Sequence, residues 1–196
     1  MNFKVKTWRC LLPILMLLQA APLLAATYIT PTEFVATSFS AQPEQGLIWL
    51  KAPEQAMAVK LFGHRYAGLR LRYWRTDERT AWILDEIGKE RMITMGIVVD
   101  QDQISRVAIL EYRESRGGEI RHPFFTQQFV GASMDSKQDL SNPIDGISGA
   151  TLSVRAVTNA SRFALYLHDL VLSQSAEAKA PFTSQDSAQN TYAPGR

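Results

Sequence analysis

Asp145, Gly146, Ile147, Ser148, Gly149, Ala150 and Thr151 stand directly before a helical pattern, and their types and order suit one kind of chemistry. Two glycines among small side chains predict a tight turn with exposed backbone. Little bulk guards the Thr151 hydroxyl, which is therefore expected to be presented to solvent. The first turn of a helix leaves backbone N–H groups unpaired and carries positive partial charge. A phosphate attached to or lying near Thr151 would meet those donors. Ser153 offers a further hydroxyl, as a helix cap or as a phosphate ligand. The same run also has a plainer reading, a Gly/Ser turn whose helix is capped by Thr151 or Ser153.

The elements that must position this run follow from periodicity. Val157, Ala160, Ala164, Leu167 and Val171 recur at helical spacing and predict the last helix. Upstream, Leu69, Leu71 and Tyr73 alternate with Arg70, Arg72 and Trp74, a strand with one face packed and one exposed. Thr76 to Glu78 turn the chain, and Thr80, Trp82 and Leu84 alternate back against Ala81, Ile83 and Asp85. Met92 to Val99 and Ile104 to Tyr112 complete an antiparallel meander. Near the start, Thr30, Pro31 and Glu33 form a capping-box helix start ahead of Phe34, Val35 and Phe39. A second helix is expected from Pro53 to Phe62, stopped by Gly63, and a short one around Pro123 to Phe129. Helices at both ends of a meander predict a single α+β domain.

The chain ends belong to different classes. Lys4, Lys6 and Arg9 precede an apolar run, Leu11 to Ala25, which is broken by Pro13 and Pro22 and closes in small residues. That pattern predicts a secretory signal peptide over 1–26, cleaved near Ala26, and export to the periplasm. An uncleaved anchor is the competing reading, although a span needs roughly 20 apolar residues and tolerates prolines poorly. Ser173 to Arg196 is rich in Ser, Ala and Gln without apolar periodicity, and predicts a disordered tail. Between them, residues 27–172 suffice for one core.

Export removes whole classes of function. Of 21 Lys and Arg the signal takes three and of 19 Asp and Glu it takes none, so the mature charge is about −1. Nothing argues for nucleic acid. The interleaved Arg65, Arg70, Arg72, Arg75, Tyr66, Tyr73 and Trp74 are expected to form a solvated strand face paired with Asp77, Asp85 or Glu86. The single cysteine, Cys10, leaves with the signal, which excludes disulfides, thiolate catalysis and iron–sulfur clusters. His64, His122 and His168 stand in no ligand spacing, so no metal site is expected. Any redox chemistry then needs an organic cofactor.

The run Asp145 to Thr151 resembles the flavinylation motif of the FMN-binding domain family. Its members include the C-type subunits of sodium-pumping NADH:quinone oxidoreductases and the G-type subunits of Rnf complexes. The resemblance implies FMN joined to Thr151 by a phosphoester that a flavin transferase forms from FAD. It implies Asp145, Gly146, Ser148, Gly149 and Ala150 as recognition and phosphate-cradling residues. Upstream, Glu111 to Gly118 resembles the family's flavin-side loop, here with Ser115 for threonine, Arg116 for proline and Tyr112 where relatives often have histidine. Glu114, Ser115, Arg116 and Gly117 are thereby implied as cofactor contacts. Arg116 or Arg121 would favour an anionic reduced ring, or else pair with Glu111, Glu114 or Glu119.

The resemblance is to soluble, stand-alone members more than to the membrane subunits. It implies an electron relay between a membrane flavin or haem reductase and an extracytoplasmic acceptor. Two alternatives stay open: direct reduction of a small molecule by the bound flavin, and a flavin-independent binding or assembly module.

Overall fold

The computed structural model describes residues 26–179. The expected signal, Ala26 apart, and residues 180–196 of the expected tail lie outside these. The elements in chain order are β1 (Ala26–Thr27), α1 (Pro31–Ala36), β2 (Glu44–Trp49), α2 (Ala52–Phe62), β3 (Arg70–Thr76), β4 (Arg79–Ile87), β5 (Met92–Asp100), β6 (Gln103–Tyr112), α3 (Pro123–Thr126) and α4 (Thr151–Lys179). The strands form one antiparallel sheet in the order β1-β6-β5-β4-β3-β2. This is the α+β meander with flanking helices that periodicity predicts.

Helix α1 starts where the Thr30 hydroxyl accepts the Glu33 N–H at 3.2 Å, with proline in the first turn. It is only six residues long, and Phe39, expected on it, lies past its end while packing beside it. Helix α2 stops at Gly63, whose φ of +83° is the left-handed cap that favours glycine. The expected helix around Pro123 to Phe129 is divided into α3 and a following 3-10 turn at Gln127–Phe129.

The alternation expected of strands with one wet face is corrected in the centre of the sheet. β5 is buried from Ile93 to Val99 on both faces, and Ala81 of β4 is fully buried. One face packs Trp82, Leu84, Met95, Ile97 and Val99 against Val157, Ala160, Phe163, Ala164 and Leu167 of α4. On the other, Phe34 and Val35 of α1 cover Ala81, Val98 and Leu110. Gly96 permits this close approach, since a Cβ there would stand 2.5 Å from the Phe34 ring. Leu69, expected on the packed face, precedes β3 and is 69% exposed.

Three further differences matter. β2, absent from the sequence expectation, pairs with β3 as the outer strand. Arg75, expected to meet a carboxylate, donates instead to the Asp77 carbonyl and the Ser175 hydroxyl. α4 continues through Lys179, past the Ser173 at which the tail was expected to begin. Among the described residues no helix is long and apolar enough to cross a membrane.

Candidate functional site

The bend before α4 is built from small residues for identifiable reasons. Gly149 has φ +81° with open space around its Cβ position, so backbone conformation and not crowding requires glycine there. The Ala150 N–H donates to the Ile147 carbonyl at 2.9 Å, and the Ala150 carbonyl accepts the first helical bond, from Val154 N–H, also at 2.9 Å. Ala150 therefore occupies the cap position with no side-chain oxygen to satisfy the first turn. The amides of Thr151, Leu152 and Ser153 precede the helical ladder and are open to an anion. At the start of the bend, the Asp145 N–H donates to the Gln128 side-chain carbonyl at 2.7 Å.

Thr151 is exposed while Ser153 is buried. The plainer reading assigned one of these hydroxyls to capping. The Ser153 hydroxyl instead shares a 3.1 Å hydrogen bond with the Tyr112 hydroxyl, across the base of the site. Tyr112 also donates to the Arg116 carbonyl. Burial pushes the phenol's pKa up, opposed by the Ser153 hydrogen bond and reinforced by the charge of Glu114, so it stays protonated at neutral pH. One tyrosine at the end of β6 thus ties the loop after β6 to the first turn of α4.

That loop is pinned a second time. The amides of Lys89, Glu90 and Arg91, in the turn between β4 and β5, all donate to Glu114 Oε1, at 2.5, 2.7 and 2.9 Å. Gly88 makes room, since a Cβ on it would stand 2.8 Å from the same oxygen. Burial pushes the Glu114 pKa up, but the three amide bonds outweigh it and hold the carboxyl below its ordinary value. A depressed folded-state pKa stabilises fully above the unfolded value, near 4.5, and that contribution is lost as pH falls through the lower folded value. Glu114→Gln is therefore expected to lower Tm at pH 7 and to reduce the loss of Tm on acidification below pH 4.5. Thermal melts from pH 3 to 7 check it, and an unchanged acid limb would show that this carboxylate does not couple to folding.

The two segments and the bend enclose a cleft of about 610 Å³ lined by Lys89, Glu90, Glu114, Ser115, Arg116 and the run Gly149 to Ser153. That volume lies within the range of small-molecule sites, roughly 300–1,000 Å³. Gly117, with φ +84°, packs behind it against Tyr112 and Ala150. Asp145, Gly146 and Ser148 belong to the bend but not to the cleft wall. Arg116 faces the cleft, whereas Arg121 lies over the Tyr28 ring at 4.9 Å and donates to its hydroxyl. Neither takes the carboxylate partners offered as an alternative: Glu111 pairs with Arg113 and Glu114 with backbone. A hollow of similar size, about 620 Å³, lies by Ala41 to Glu44 and Arg75 to Asp77, but it contains no helix start with open amides.

Sequence reasoning missed Lys89, Glu90 and Leu152. The first two stand in a turn between strands with no motif of their own. Their only signal is Gly88, a glycine where Glu114 must approach.

Comparison with known proteins agrees with this geometry. Residues 88–166 match the family model for the FMN-binding domain, a segment that contains every cleft-lining residue named above. The fold is similar to the crystal structure of Shewanella oneidensis NqrC, with a TM-score of 0.52 at 16% identity over 76% of this chain and 90% of that one. A search of curated proteins gave no match. The segment that matches the FMN-binding domain model thus coincides with the cleft, on a fold similar to that of NqrC.

Proposed function

We propose that the protein is an exported flavoprotein with FMN joined to Thr151 through a phosphoester, serving as an electron relay between a membrane reductase and an extracytoplasmic acceptor. The observation that carries this reading is the exposed Thr151 hydroxyl at the open-amide start of α4, facing the cleft inside the family-matched segment.

The residues present suit FMN. The hydroxyl of Thr151 would take the FMN phosphoryl group that a flavin transferase transfers from FAD, losing its proton as AMP departs. Backbone amides of Thr151, Leu152 and Ser153 would receive the phosphate's negative charge, and the positive end of the α4 dipole would add to them. Gly149 keeps the approach to the hydroxyl clear because nothing lies within 4 Å of its Cβ position. Lys89 and Arg116 line the same cleft and supply positive charge toward an anionic ligand. The flavin supplies one- and two-electron chemistry, and the protein supplies position and electrostatics. Tyr112 and Glu114 hold the wall in place and need not exchange protons during turnover.

Covalent attachment suits export. A reversible site outside the cytoplasmic membrane empties wherever free FMN is scarce, and a phosphoester removes that equilibrium. The segment Lys4 to Ala26 supports export on its composition alone.

Co-expression of the full chain with a flavin transferase, followed by acid denaturation of the exported product, tests the reading. The denatured protein is expected to stay yellow. Yellow colour that washes away would mean a non-covalent site, and a colourless product would mean a flavin-independent module.

A further inference from the structure

A buried histidine with one unpartnered ring nitrogen lies beside two exposed carboxylates, well away from the cleft. His168 of α4 is fully buried. Its Nδ1 shares a 2.8 Å hydrogen bond with Thr80 Oγ1, which also accepts the Trp82 indole N–H at 2.9 Å. Among the described residues its Nε2 has no hydrogen-bond partner. Asp102, in the turn joining β5 to β6, and Asp169, next along α4, each bring a carboxylate oxygen. Those two oxygens and an imidazole nitrogen of His168 all lie within 4.8 Å of one another.

Two costs meet at this place. Neutral imidazole has one N–H and one lone pair, and with Nδ1 held by Thr80 the desolvated Nε2 is left without a well-formed hydrogen bond among the described residues. The carboxylates crowd each other as well: an oxygen of Asp102 and one of Asp169 lie within 4.8 Å, where like charges repel. A bound cation relieves both costs at once. It takes the Nε2 lone pair and offsets the carboxylate charge, while Nδ1–H donates to Thr80, the arrangement that metal-ligating histidines use.

We propose that Asp102, His168 and Asp169 bind one divalent transition cation of the zinc type, through His168 Nε2 and one oxygen of each carboxylate. A mixed nitrogen and oxygen set favours Zn²⁺ over Mg²⁺, which retains water and octahedral oxygen ligands. Asp102 and Asp169 also line a hollow of about 350 Å³ with Ser133, Met134 and Leu165, which gives the ion a path from solvent. His168 stands 17 residues beyond Thr151 on α4, about 25 Å along the helix axis. The ion is thus a clamp between the β5–β6 turn and α4, not a ligand of the flavin. The sequence expectation of no metal site looked for His spacing, and here the ligands are gathered by topology.

The test uses tag-free mature protein stripped with EDTA and titrated calorimetrically with ZnCl₂ alone, in flavin-free and flavin-loaded forms. Binding of one Zn²⁺ per chain in both forms, a raised Tm with Zn²⁺ and no response to MgCl₂ are expected. The double variant Asp102→Asn with Asp169→Asn removes two exposed ligands and should keep its Tm in EDTA. Its Zn²⁺ affinity should fall by more than ~100-fold, the upper range for loss of an outer partner alone. Absence of binding at millimolar Zn²⁺, or equal affinity in the double variant, would overturn the site. An equal response to Mg²⁺ would overturn the zinc-type assignment.

Discussion

Thr151→Val yields a folded, colourless protein when made beside an active flavin transferase, while the parent chain emerges yellow. Valine keeps the branched shape and removes only the oxygen. That oxygen contributes little to the fold, because Thr151 is exposed and Ala150 occupies the cap position of α4. The stability change should fall within the usual surface range, about ±0.5 kcal/mol. Flavin attachment should be lost completely, since no other oxygen takes the same place. Ser153 is the nearest candidate on the helix, but it is buried and bonded to Tyr112. Thr151→Ser should retain attachment. Bound-flavin absorbance after acid denaturation, read beside Tm, checks all three statements. A yellow valine variant would move the attachment point elsewhere.

Gly117→Ala is expected to cost about 2–4 kcal/mol and to lower flavin attachment although Thr151 is intact. Two effects add. The backbone there has φ +84°, where an L side chain is strained whatever the space. The new methyl would also stand 2.8 Å from the Tyr112 hydroxyl and 2.9 Å from the Ala150 Cβ. Tyr112 cannot yield cheaply, because its hydroxyl holds both the Arg116 carbonyl and Ser153. Ala150 cannot yield without moving the start of α4. Denaturant unfolding gives the stability loss and absorbance the flavin content. A variant as stable as its parent would show that the loop does not dock on the bend in this way.

The sequence carried the parts of the fold that repeat locally. Strands β3 to β6 lie within about two residues of the alternating runs, and Thr30 and Gly63 mark helix ends by well-understood backbone chemistry. β2 was illegible for a physical reason. Leu47 and Trp49 point outward, 51% and 56% exposed, so the strand presents no wet polar face against a dry apolar one. The C-terminal extension of α4 rests on Ala, Glu and Lys, which favour helix without marking a buried stripe.

The candidate site was legible as a bend and a loop, but not as a cleft. Asp145 to Thr151 announced itself through glycines and a helix start, and Glu114, Ser115 and Arg116 line a cleft with its last three residues, while Gly117 packs behind. What the residues could not say is what each side chain would choose. Glu114 spends one oxygen on three amides more than 20 residues away, which makes it a brace of the cleft wall. Arg121 stacks on Tyr28, leaving Arg116 as the arginine at the cleft. These choices depend on which turn the sheet register brings alongside, and register is a property of the whole meander. The same holds for Asp102 and His168, which meet only because α4 crosses the β5–β6 turn.

The central claim, a phosphoester between FMN and Thr151, is tested most directly by peptide-level mass spectrometry of the exported protein from cells that make the flavin transferase. The peptide containing Thr151 is predicted to carry the mass of FMN less water, with fragmentation placing it on that threonine. An unmodified Thr151 peptide from such cells, or flavin mass on any other residue, would contradict the account.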